Sequence, residues 1–67
     1  MRWEDRVGAN VRRRRKASGL SQEALAHEAG MSMRYLAGLE RGEENPSLAF
    51  LVRLADALKV HPRELFD

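Results

Sequence analysis

The chain has 67 residues, 43% apolar and 33% charged, which fits one small folded domain spanning 1–67 and excludes a disordered tail. It contains no cysteine, which rules out disulfides and thiolate metal sites, and no apolar run near the roughly 18 residues of a membrane span. No secretory h-region accompanies its basic start, so a cytoplasmic location is expected.

Net charge is only +2, but residues 1–22 carry +5 and residues 23–67 carry −3. One positive end of this kind points to a polyanionic partner. The first helix is predicted from about Trp3 or Asp5 to Ala17. Trp3, Val7, Val11, Arg14 and Ser18 share a stripe on it. Arg14 stands where an apolar residue belongs, so its stem is expected to cover the core edge while its guanidinium reaches water. Arg12, Arg13, Arg15 and Lys16 fan over the remaining surface. They read equally as phosphate contacts or as a solvated face complementing the helix dipole.

Gly19 closes that helix, and Ser21 is placed to cap the next. Leu25, Ala26 and Ala29 then fall on one face. Gly30 sits where the chain must turn sharply, and Ser32 is positioned to cap a third helix from about Met33 to Arg41. Its apolar side is Leu36 and Leu39. The opposite side carries Arg34, Gly38 and Arg41, flanked by Met33 and Ala37. Small residues let such a face come close to another molecule, and Arg34 has the fork that suits a guanine edge or a phosphate. Helix, glycine turn and helix is the helix-turn-helix arrangement, whose second helix enters the major groove. An ordinary αα-hairpin with a solvated basic face is the competing reading.

Gly42 to Pro46 is a turn by composition, and Ser47 is placed to cap a fourth helix from about Leu48 to Lys59. Leu48, Leu51, Val52, Ala55 and Leu58 form one face of it, and Phe50, Leu54 and Ala57 a second. A helix this apolar is expected to be nearly enclosed, the second face by the last helix or another subunit. Pro62 suits the start of a short fifth helix ending in Leu65 and Phe66. Phe50, Leu54, Ala57, Leu65 and Phe66 are therefore the candidate dimer surface. The expected fold is all-α, a compact bundle of five helices.

His27 and His61 are too few and too far apart for a metal site. His61 is expected to cap the last helix, and His27 to lie with Glu23 on a wet face. Ser21, Ser32 and Ser47 are accounted for as caps, which leaves no nucleophile arrangement. No enzyme, cofactor or small-molecule ligand is expected.

Four linked blocks stand in order along the chain. They are Val7-Gly-x-x-Val11-Arg12-x-x-Arg15, Gly19-Leu-Ser-Gln-Glu-x-Leu-Ala26, Ala29-Gly30-x-Ser32-x-x-Tyr35-Leu36-x-x-Leu39-Glu40-Arg41-Gly42, and Asn45-Pro-Ser-Leu48. With Leu54-Ala-Asp-Ala-Leu-Lys-Val60 and Leu65-Phe66, the chain resembles the phage-repressor/Cro-like, or XRE-type, helix-turn-helix family. The resemblance implies a lambda-repressor-like bundle with the motif on helices two and three. It implies that Gln22 meets a phosphate and braces the third helix. Met33, Arg34, Ala37 and Gly38 would face base edges, while Tyr35, Arg41 and Asn45 position on phosphates. It further implies an ion pair between Arg15 and Glu40, linking the first and third helices.

The function that follows is a sequence-specific regulator of transcription, a repressor, bound as a homodimer to a two-fold operator in double-stranded DNA. The alternative is a protein-interaction or antitoxin-like module using the apolar surface of the fourth and fifth helices.

Overall fold

A computed structural model describes residues 1–67. Four α-helices follow one another, α1 (Trp3–Ala17), α2 (Gln22–Ala29), α3 (Met33–Glu40) and α4 (Leu48–Leu58). There is no strand, and no helix is long and apolar enough to cross a membrane. The fifth segment, Pro62–Phe66, is a 3-10 helix and not the α-helix expected. Five residues leave almost no room for i→i−4 bonds, so the shorter Glu64 N–H to His61 C=O link, 2.9 Å, closes the turn instead.

Local chemistry sets the element ends. The hydroxyls of Ser21, Ser32 and Ser47 accept from the amides of Ala24, Tyr35 and Phe50 at 3.0, 3.0 and 3.2 Å. His61 caps the last segment through Nδ1, which accepts from Arg63 N–H at 3.1 Å, and Glu64 returns the bond by accepting from His61 N–H at 2.8 Å. Gly30 ends α2 with φ 72°, a left-handed turn that any larger residue enters at a cost.

Val11, Leu25, Leu36, Leu39, Leu54 and Leu65 are the largest fully buried side chains. Leu54 and Leu65 are therefore core residues, which removes them from the candidate dimer surface. On α4 the buried stripe is Leu51, Leu54, Ala55 and Leu58, at i, i+3, i+4 and i+7. That arc draws from both faces proposed from the sequence and leaves Leu48 73% and Val52 38% exposed. The helix is enclosed on one side only.

α1 packs on α3 and on the carboxyl-terminal segment. Gly8 makes the first contact possible. A Cβ there would collide with the carbonyl oxygen of Leu39 and stand 2.9 Å from that of Glu40, so only glycine lets the backbones meet. Asn10, buried on the same helix, donates from Nδ2 to the carbonyls of Leu65 at 3.0 Å and Asp67 at 2.9 Å. Arg14 pairs with Glu64 at 3.2 Å, so its head binds the chain end instead of reaching water freely. The ring of Trp3 meets that of Phe66 edge-on, with centroids 5.9 Å apart.

Candidate nucleic-acid interface

α3 has an inner and an outer side. Inside, Leu36 and Leu39 are buried in the core. At its end Glu40 turns back toward α1. Arg15 Nε donates to Glu40 Oε2 at 2.7 Å and Arg15 Nη2 to Oε1 at 3.1 Å, a two-pronged contact whose carboxylate side chain is 3% exposed. Arg15 Nη1 donates to the Leu20 carbonyl at 2.9 Å, and Gln22 Nε2 donates to Glu40 Oε1 at 3.0 Å. Four hydrogen bonds thus join α1, the turn before α2, the start of α2 and the end of α3. Arg15 is not part of the solvated fan of arginines on α1; it is buried.

Above this cluster a shallow groove runs between α1, the start of α2 and α3, lined by Arg12, Ser21, Gln22, Glu23, Met33, Ala37 and Arg41, with Arg15 and Glu40 among its walls. Ser21 caps α2 through the Ala24 amide, which leaves the amides of Gln22 and Glu23 as the free positive end of that helix beside the groove. Met33 is exposed and Ala37 half-buried. Arg34 is exposed, one residue along the helix from Met33, and its side chain makes no hydrogen bond or ion pair within the chain.

The remaining sequence-predicted residues lie as follows. Tyr35 is half-buried, its ring edge-on to Phe50 at 5.2 Å, and Arg53 covers Phe50 from 5.1 Å. Burial, then the charge of Glu44, pushes the Tyr35 hydroxyl above its ordinary value, so it remains a proton donor at neutral pH. Phe50 is therefore occupied by α3 and Arg53. Arg41 is exposed and donates to Glu43 at 3.0 Å. That bond, followed by charge attraction, raises the Arg41 guanidinium and lowers the Glu43 carboxyl relative to their ordinary values. Gly38 is buried beneath the side chain of Glu44 and is not an open patch of helix. Asn45 is exposed but stands apart from the groove, beside Trp3, Leu51 and Phe66. Ala57 is half-buried and Phe66 40% exposed.

The sequence treated the basic run on α1 as a block and did not separate Arg12, which alone of its solvated members lines the groove. The signal was its three-residue spacing from Arg15, which places both on one side of α1. No group of His, Cys, Asp or Glu is arranged to hold a metal ion.

A helix, a left-handed glycine turn and a second helix with cationic residues along its outer side define a helix-turn-helix domain. The helix-turn-helix family model matches residues 11–65, and the chain belongs to that family of DNA-binding transcriptional regulators, in its XRE-type branch. It is 46% identical over 59 residues to an uncharacterised HTH-type transcriptional regulator of Sinorhizobium fredii, covering 88% of this chain and 77% of that one. It is similar to the crystal structure of the restriction-modification controller protein C.AhdI from Aeromonas hydrophila, with TM-score 0.92, 46% identity and coverage of 94% and 96% of the two chains. The biofilm master regulator SinR, solved in complex with DNA, matches with TM-score 0.86 and 35% identity, covering 91% of this chain and 98% of that one.

Proposed function

We propose that the protein is a sequence-specific repressor that binds a two-fold operator in double-stranded DNA as a homodimer, in the cytoplasm, with α3 in the major groove. The observation that carries this reading is the outer side of α3. Arg34 is free of any partner in the chain, and Met33, Ala37 and Arg41 border a groove whose other edge holds Arg12 and the positive end of α2. Arg34 reads a base edge, with guanine the best match to its fork. Arg12, Gln22 and Arg41 meet phosphates, as does the Tyr35 hydroxyl, which remains protonated. Asn45 lies outside that groove, so its phosphate contact comes from the flank of the site.

Two copies are needed because one domain of this size contacts too few base pairs, and half-sites about 34 Å apart match the helical repeat. With Leu54 and Leu65 committed to the core, exposed Leu48 and Val52 on α4 and Phe66 beside Trp3 at the chain end are apolar side chains available for the contact between copies. The same exposed residues support a second reading, in which this surface binds a different protein. Sedimentation of the purified chain separates the two, because a monomer at every concentration, free and on DNA, removes the homodimer.

The central test is selection from a random duplex library followed by salt titration of the winning sequence. An inverted repeat bound with a steep salt slope is the expected result. Arg34→Ala should weaken that complex by about 1–3 kcal/mol and relax one base position. Equal weakening on every sequence would reduce Arg34 to a phosphate contact, and failure of the folded protein to enrich any sequence would overturn the function.

A further inference from the structure

Glu44 belongs to the turn after α3, yet its side chain lies on α3. A Cβ at Gly38 would stand 3.1 Å from Glu44 Oε2 and 3.2 Å from its Cγ, so Glu44 fills the space that position 38 leaves empty. Gly38 is the middle of the stripe Arg34, Gly38, Arg41. The charge of Glu44 acts on Tyr35, next to Arg34 in the helix, and on Arg41 at the end of the stripe. Its neighbour Glu43 is engaged by Arg41 at 3.0 Å, whereas Glu44 has neither an ion pair nor a hydrogen bond within the chain. A half-buried carboxylate with unused acceptors thus sits in mid-face on the helix assigned to base reading.

Accepting that assignment of α3, we infer that Glu44 is a specificity-determining residue, which accepts a hydrogen bond from the exocyclic amino group of a cytosine beside the base met by Arg34. A carboxylate only accepts. Guanine presents O6 and N7 in the major groove and thymine presents O4, all acceptors, so both are repelled. Adenine offers its amino group next to the acceptor N7, whereas cytosine offers N4 with no acceptor on its own edge. Phosphate repulsion makes the carboxylate unfavourable on every duplex, and the amino contact offsets this on one base alone. Glycine at 38 is the partner feature, because any side chain there would displace Glu44 from the stripe.

The experiment is duplex selection with the wild type, Glu44→Ala and Glu44→Gln, each checked for folding by circular dichroism, together with affinity for a random duplex. The wild type should select cytosine at one position by about tenfold, and Glu44→Ala should lose that preference while keeping the other positions and binding random DNA more tightly. Glu44→Gln should shift the same position toward adenine, whose N6 and N7 suit an amide. An unchanged base profile in Glu44→Ala, with affinity raised uniformly, would overturn the inference and leave Glu44 as a repulsive surface charge. A wild type that enriches no sequence at all would instead overturn the DNA-reading function beneath it.

Discussion

The inner and outer sides of α3 use the same kinds of residue to opposite ends. Each has a glycine against a neighbour and an arginine–glutamate pair. Inside, Gly8 of α1 abuts backbone carbonyls of α3, and Arg15 holds a Glu40 whose side chain is 3% exposed. Outside, Gly38 abuts a Glu44 side chain from Cγ to the carboxylate, and Arg41 holds a Glu43 that is 60% exposed. Burial decides what each arrangement does. A buried pair fixes the helix because neither charge has water to return to, while an exposed pair opens whenever a stronger partner arrives.

Breaking the inner pair should have the largest effect. Arg15→Ala leaves Glu40 buried with only Gln22 and should cost about 3–5 kcal/mol in urea unfolding, most of the stability of a domain this size. Adding Glu40→Ala should restore part of that loss, and strict additivity in the double-mutant cycle would remove the coupling. Gly8→Ala comes next, at about 2 kcal/mol or more, because the obstacle is backbone and cannot rotate away. The same substitution at Gly38 should change sign. Glu44 can swing aside, so Gly38→Ala should gain about 0.5–1 kcal/mol from helix propensity, and a loss there would show the outer side to be as tightly built as the inner.

The smallest effect belongs to the outer pair. The Glu43 carboxyl is lowered in the fold, so its contribution is present above the ordinary carboxylate range and fades as pH falls through it. Melting curves of wild type and Glu43→Gln should differ slightly at neutral pH and converge in acid. A gap that widens in acid would contradict the pairing.

Much of this was legible in the chain. Three serine caps, the His61 cap, the turn at Gly30 and the apolar periodicity of α2 and α3 are all local, and local chemistry decides them. α4 was harder because it is apolar nearly all round, so periodicity could not say which arc faces inward. Only packing on α2 and the last segment puts Leu54 inside and Leu48 outside. The four consecutive arginines look alike as letters. Arg15 is distinguished by a glutamate 25 positions away, and family resemblance, not spacing, pointed to it. The placement of Glu44 over Gly38 depends on the path of the turn between α3 and α4, which no residue pattern encodes.

The seam at Gly8 has a bearing on how such proteins diversify. With α3 docked backbone to backbone on α1, its angle does not depend on the side chains it shows to the outside. Substitutions at 34 and 37, and at 38 and 44 together, can therefore accumulate without unsettling the scaffold, and under the proposed function lineages can acquire new targets a step at a time. Drift at position 8 has no such freedom, since every alternative moves the whole of α3 at once.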